Sequence, residues 1–267
     1  MKSRTLTAGN CAAWNEVAPL HRQQNQARLL HQFMQPGYTC LDATATKNLN
    51  AIGMSGKDVA QLCCNNGREL VSVKNMGANR CVGFDGASGF IEQAQELAAA
   101  AGQECEFVQC DVYDIAPEFN GAFDVVMVTI GVLNWMPDVA GFFAAGARLL
   151  RPNGVLFIYE QHPIMDMVEP GQADDPVVWS SSYFRKGPRV DTEGLDYYGG
   201  TPYEALPCYE IQHTLADVMM AGIQAGLRVS DFQEHPQHIS NTWYNVESQG
   251  LELPMSYTLI MTKTAND

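Results

Sequence analysis

One stretch, Asp58–Asp85, constrains this chain more than any other. Val59–Cys64 is a short, mostly apolar run that breaks at the turn Asn65-Asn66-Gly67. Leu70, Val73 and Met76 then recur at helical spacing, and Gly77 stands where a helix stops. Val82 and Phe84 alternate into an acidic residue, Asp85. The pattern predicts a right-handed βαβ unit whose first turn faces a helix N-terminus. Its second strand ends in a carboxylate able to accept from two ribose hydroxyls. The implied ligand is a small molecule containing a nucleoside.

The flanking sequence extends this unit into a sheet. Ser88–Ala101 reads as a helix with Ser88 as N-cap and Gly102 as its stop, and Glu104–Cys110 as a strand ending at Asp111. Asp114 and Pro117 mark a short connection. Phe123–Val128 is a continuous apolar run, as a central parallel strand covered on both faces requires, and Thr129–Trp135 is the loop at its carboxyl end. Val139–Leu150 is a further helix, and the turn Arg151–Gly154 feeds the strand Val155–Glu160. Alternating strands and helices in this order predict an α/β, doubly wound, mostly parallel sheet.

Before the core, residues 10–34 read as helical, divided in two at Pro19, with Trp14, Val17, Leu20, Leu29, Leu30 and Phe33 as apolar faces. Residues 39–57 read as a connection or a short helix. From Gln161 to Cys208 periodicity fails, while Tyr183, Tyr197, Tyr198 and Tyr203 favour a folded cap over a flexible linker. His213–Ala225 is a helix, Gly226–Phe232 a strand, and Pro254–Met261 the last strand. The organisation expected is one composite domain. An N-terminal helical lid (1–57) and an inserted aromatic cap (161–212) accompany a core made of 58–160 and 213–267. Packing of the N-terminal helices on a sheet edge, without a lid role, is the competing reading.

Composition narrows the partners. A formal net charge of −14 over 267 residues, with no local Lys/Arg cluster, argues against a nucleic-acid backbone and against an anionic membrane surface. Eight cysteines include no paired C-x-x-C arrangement, so no metal is expected. Cys63, Cys64, Cys81, Cys105 and Cys110 fall in or beside expected buried strands, where a free thiol behaves as a small hydrophobe. Lys2 and Arg4 are followed by no apolar run, so no signal peptide and a cytoplasmic location are expected. A homodimer is compatible with this surface.

The turn after the first strand lacks the G-x-G-x-x-G of a dinucleotide site, holding Cys63, Asn65 and Gly67 instead. Gly67 would let the backbone approach the ligand, and Asn65 tolerates positive φ better than other side chains. With no pyrophosphate cradle, a nucleoside without phosphates is favoured over a nicotinamide dinucleotide. Asp85 would take the ribose hydroxyls in a charge-assisted contact, and Asp111 can accept from an adenine amine. Each carboxylate, taken alone, is equally well read as a cap or a surface group.

These stretches, with Phe123–Thr129, Leu149–Val155 and the helix-strand-strand ending from His213, resemble a class I S-adenosylmethionine-dependent methyltransferase of the small-molecule type. The resemblance implies a seven-stranded Rossmann-like sheet whose last strand inserts antiparallel between its neighbours. It implies S-adenosylmethionine as cofactor, with its methionine end on Cys63, Asn65 and Gly67 and its ribose on Asp85 beside Gly86. Its adenine would lie near Asp111 and Val112, and its sulfonium above Thr129–Gly131. Gln61 stands where the family usually has an acid near the ligand's amino group, and Cys63 and Asn65 replace two glycines.

Transfer to a hydroxyl or amine requires loss of a proton. His162, just past the fifth strand, is the base candidate, against a reading as a histidine that only orients its turn; Asn134 would orient the acceptor. Trp135, Tyr183, Tyr198, His213 and Trp243 would wall the acceptor pocket, each with a plain packing alternative. The competing functions are an NAD(P)-dependent oxidoreductase and a non-catalytic S-adenosylmethionine-binding protein.

Overall fold

The computed structural model describes residues 3–240 and 242–265; Lys2 lies outside the described residues. Nine strands and eight α-helices are present among them. The core βαβ unit is β1 (Val59–Leu62), α4 (Arg68–Asn75) and β2 (Cys81–Asp85), and it continues through α5 (Ser88–Ala100), β3 (Glu106–Gln109) and β4 (Phe123–Thr129). Then come α6 (Val139–Leu149), β5 (Leu150–Gln161), α7 (Leu215–Gln224), β8 (Leu227–His235) and β9 (Ser256–Lys263). The strands form a seven-stranded sheet in the order β3-β2-β1-β4-β5-β9-β8. The first five are parallel, and β9 runs antiparallel between β5 and β8. This is the Rossmann-like methyltransferase topology.

Both faces of the sheet are covered, which is why its central strands are apolar without alternation. Leu62, Val126, Ile158, Leu259 and Met261 pack on one face with Phe142 and Phe143 of α6 and Val218 of α7. Val59, Val125, Met127 and Phe157 pack on the other with Leu70 and Val73 of α4 and Leu49 of α3 (Ala43–Ile52). Asp42 caps α3, accepting from the Ala45 N–H at 2.7 Å.

Three local expectations are corrected. Pro19 does not divide the N-terminal segment: α1 (Ser3–His21) runs through it, followed by a π turn (Arg22–Gln26) and α2 (Ala27–Phe33). At the junction with the π turn the Ala18 carbonyl accepts from the Gln93 amide of α5 at 2.9 Å, tying the helix to its neighbour. Ser88 is not the cap of α5 but its first residue. Asn15 of α1 takes that role across the interface, its Oδ1 accepting from the Gly89 N–H at 2.9 Å. Finally, β5 starts at Leu150, with the Arg151–Gly154 turn inside it as an irregularity against β4.

The insertion carries a small antiparallel ribbon, β6 (Arg189–Asp191) with β7 (Cys208–Glu210), and a short helix, α8 (Tyr244–Ser248), precedes β9. All eight thiols are free. Among the described residues no helix is long and apolar enough to cross a membrane.

Candidate active site

A cavity opens at the carboxyl ends of β1, β2 and β4, where the backbone takes forms that L-residues rarely adopt. Cys63 (φ 53°), Asn65 (φ 49°) and Ile130 (φ 28°) all line it. Non-glycine residues in this region cost free energy and persist only where surrounding contacts impose them. Here those contacts are visible. The Asp85 carboxylate accepts from the Asn65 N–H at 2.8 Å and, through its other oxygen, from the Ala87 N–H at 2.9 Å. Burial pushes the Asp85 carboxyl pKa up, opposed by these N–H donors.

Gly67 (φ 71°) has a different reason from the one its position suggested. A Cβ there would sit 2.7 Å from Phe107 and 2.8 Å from Ala94. Its bareness therefore serves helix-to-sheet packing behind the loop, and it does not line the cavity. Gly67→Val should lower stability by about 2–4 kcal/mol, from overpacking and the positive φ together. Asn65→Gly should change stability by less than about 1 kcal/mol. Urea titrations of the two variants check the order.

The floor of the cavity is the loop after β4. Glu160, buried at the end of β5, accepts from the N–H groups of Gly131 (2.7 Å), Val132 (2.5 Å), Leu133 (2.8 Å) and Gln161 (2.8 Å). Burial pushes its carboxyl pKa up against those donors. Beside it the Gln61 amide donates to Thr129 Oγ1 at 2.9 Å. Gln61 is 1% exposed, lines the cavity, and its Oε1 has no partner.

The roof comes from α1. Thr7, Asn10, Cys11 and Trp14 line the cavity, and Asn10 ties the helix to both sides of it. Its amide donates to the carbonyls of Trp135 (3.1 Å) and Tyr209 (3.0 Å), while its Oδ1 accepts from the Tyr209 N–H at 2.7 Å. Trp14 packs edge-on against Trp135 at 5.4 Å and Phe90 at 6.1 Å. Tyr197 and Tyr198 of the insertion close the end, the Tyr198 hydroxyl accepting from Arg68 at 3.2 Å. Arg68 is paired with Glu69 at 2.6 Å.

Of the residues singled out from sequence, Cys63, Asn65, Asp85, Thr129, Gly131, Trp135 and Tyr198 meet around this cavity. Others go elsewhere. Asp111 caps a short 3₁₀ turn, accepting from the Tyr113 N–H at 3.0 Å, and its other oxygen is taken by Arg4 at 2.9 Å. Val112 is core, and Gly86 packs beneath the Cys11 thiol. His162 is 5% exposed and outside the cavity wall. Its Nδ1 accepts from the Ile164 N–H at 3.1 Å, and its Nε2 lies 3.0 Å from Glu234. Burial lowers its pKa.

The aromatic residues expected to form one acceptor pocket are dispersed. The Tyr183 hydroxyl accepts from the Leu215 N–H at 3.1 Å, capping α7, and the Trp243 indole donates to the Val168 carbonyl at 3.0 Å. His213 donates to the Met136 carbonyl at 2.7 Å and, with Asn134, lines a separate small cavity behind Glu160. Missed altogether were Asn10, Cys11 and Trp14. A polar Asn10 on the same helical face as an apolar Trp14 was the signal available.

In that small cavity, burial and Glu210 push the Asp166 carboxyl up to about 7. A raised carboxyl favours the protonated folded state, so stability should fall as pH rises from about 4 to about 7. Asp166→Asn should remove up to about 3 kcal/mol of that loss. Unfolding midpoints at the two ends of the range measure it.

A Rossmann-like sheet with an antiparallel strand inserted next to its end, carrying a ligand cleft at the tips of β1, β2 and β4, is the fold shared by class I S-adenosylmethionine-dependent methyltransferases. Comparison with known proteins agrees: residues 60–158 match the family model described as a methyltransferase domain. The ubiquinone biosynthesis O-methyltransferase of Cronobacter sakazakii is 32% identical over 105 residues, 39% of this chain and 42% of that protein. The chain thus matches less than half the length of this curated relative.

The fold extends further than the sequence likeness. An S-adenosylmethionine-dependent methyltransferase from Mesorhizobium loti superposes with a TM-score of 0.63 at 20% identity, covering 81% of this chain and 96% of its own. The [4+2]-cyclase SpnF superposes at 0.55 and 16% identity, covering 95% and 98%. The cofactor of this domain class is S-adenosylmethionine, and the cavity's chemistry fits it. A buried, unpartnered Gln61 oxygen suits an ammonium, and the Asp85 carboxylate, with acceptor capacity beyond its two N–H contacts, suits a pair of hydroxyls.

Proposed function

We propose that the chain is an S-adenosylmethionine-dependent methyltransferase acting on the oxygen or nitrogen of a small-molecule acceptor. The observation that carries this reading is the convergence of Asp85, the unpartnered Gln61 oxygen and three left-handed backbone residues on one cavity. When bound, S-adenosylmethionine supplies an electrophilic methyl carbon whose bond electrons stay on sulfur. Asp85 would hold the ribose hydroxyls, Gln61 Oε1 the methionine ammonium, and the loop clamped by Glu160 the region of the sulfonium. The edge-on pair Trp14 and Trp135 would exclude water from the roof. Holding donor and acceptor in line contributes about 7–11 kcal/mol to such reactions.

An attacking hydroxyl or amine must also lose its proton. Glu69 lines both the cavity and a neighbouring hollow, together with Thr129 and Ile130, and it is our candidate to take it. His162 is less suited, since it lies outside the cavity, with its Nδ1 accepting from the Ile164 N–H and its Nε2 beside Glu234. The curated relative from Cronobacter sakazakii is an O-methyltransferase, which favours oxygen as the attacking atom. The strongly acidic composition favours a small molecule over a nucleic acid.

Calorimetric titration with S-adenosylhomocysteine, then labelled-methyl turnover against a small-molecule panel, tests the reading. Binding with turnover supports it. Binding of a nicotinamide dinucleotide without any response to S-adenosylhomocysteine overturns it. One fold neighbour is a [4+2]-cyclase, and binding without methyl transfer would leave the cofactor and remove the reaction.

A further inference from the structure

A second hollow of about 300 Å³ lies beside the first, at the small end of the range for small-molecule sites. The two share the wall formed by Arg68, Glu69, Thr129 and Ile130. Leu29, Tyr38, Leu41, Ala45, Tyr159 and Ile239 give it an apolar side, and Gln32 and Asp42 join the shared wall in a polar one. Arg28, on α2, also lines it.

The charges of this hollow are unevenly answered. Glu69 is paired with Arg68 at 2.6 Å. Asp42 accepts from the Tyr159 hydroxyl at 2.8 Å and the Ala45 N–H at 2.7 Å. Arg28 donates only to the neutral amide oxygens of Asn25 (2.6 and 3.1 Å) and Gln32 (3.1 Å), and has no carboxylate partner among the described residues. Arg28 is exposed at the rim of the hollow, and in a chain with 30 acidic against 16 basic side chains an arginine with no carboxylate partner there is open to an anionic group. A guanidinium binds a carboxylate through parallel N–H donors, which adds both energy and orientation.

We infer that this hollow takes the methyl acceptor, and that the acceptor is a small, mainly apolar molecule bearing one carboxylate. The carboxylate would meet Arg28, the body would fill the space between Leu41 and Ile239, and the attacking atom would reach the donor cavity past Ile130. The inference rests on the methyltransferase reading above, and names the acceptor class for that same site.

The test uses the full chain saturated with S-adenosylhomocysteine, titrated calorimetrically with benzoate, 4-hydroxybenzoate and indole-3-acetate, and with the methyl ester of each. The acids should bind about tenfold tighter than their esters, as one charge-assisted contact supplies. Arg28→Gln should erase that difference, and Ile239→Trp should block acids and esters alike, both with S-adenosylhomocysteine affinity unchanged. That last readout also reports folding of the variants. Acids bound no better than esters, or Arg28→Gln weakening S-adenosylhomocysteine itself, overturns the acceptor assignment while the donor reading stands. Failure of S-adenosylhomocysteine to bind the unaltered chain overturns both.

Discussion

Asp85→Ala should weaken S-adenosylhomocysteine binding by about 1.5–3 kcal/mol, roughly ten- to a hundredfold, the range for hydrogen bonds to a charged group. The carboxylate does two things at once. It would accept from the ribose, and it already holds the Asn65 and Ala87 N–H groups, so its removal also releases the left-handed loop. Asp85→Asn separates the two effects: one amide oxygen can keep one backbone contact, while the charge is lost. Calorimetry should show both variants weakened, with alanine the more affected. Because burial raises the Asp85 pKa, affinity in the native chain should also decline on acidification, as the carboxyl protonates and loses acceptor capacity. Unchanged affinity in a folded Asp85→Ala protein would take this residue out of the site.

The largest expected loss of stability comes from Glu160→Ala. Four backbone N–H groups converge on that carboxylate. Each buried donor left without an acceptor costs about 1–3 kcal/mol, and the costs are not additive, so a total of about 3–5 kcal/mol is expected. Thermal unfolding should then shift down by roughly 10 °C. Ile130, which adjoins this loop, has φ 28°, a conformation the clamp helps to impose. Cofactor affinity should therefore fall along with stability. Glu160→Gln, which retains one oxygen acceptor, should lose less of both. A Glu160→Ala protein with native melting behaviour would mean the loop holds itself.

The sheet was legible because its signals are local and repeated. The parallel strands announced themselves as apolar or alternating runs ending in turns or acids, and the shape of the β1 turn was readable from Asn65 and Gly67. The actual dihedral angles at Cys63, Asn65 and Gly67 are all left-handed. Helix starts were less legible where the cap is borrowed. Nothing near Ser88 indicates that Asn15 caps its helix, and nothing near Pro19 indicates that the Gln93 amide reaches the adjacent Ala18 carbonyl. Both partners come from another element, which no local stretch records.

The site divides along the same line. Asp85 was found because a strand alternation ending in a carboxylate is visible in six residues. Asp111 ends its strand in the same way, yet Arg4, 107 positions earlier, takes one of its oxygens. Tyr183 and Trp243 looked like pocket walls and instead hold a helix start and a loop. Trp14 looked like core and roofs the cavity.

The order of apolar runs, turn residues and strand-end acids dictated the doubly wound sheet, the strained first loop and the carboxylate beside it. Those depend on backbone preferences and burial over a few residues. Which side chain meets which across the fold was decided only in three dimensions: α1 over the cavity, Glu160 under the β4 loop, Arg28 beside an open hollow. Periodicity records that a face is buried or exposed, but a contact's partner depends on how distant segments close against one another, and that geometry is written in no single stretch.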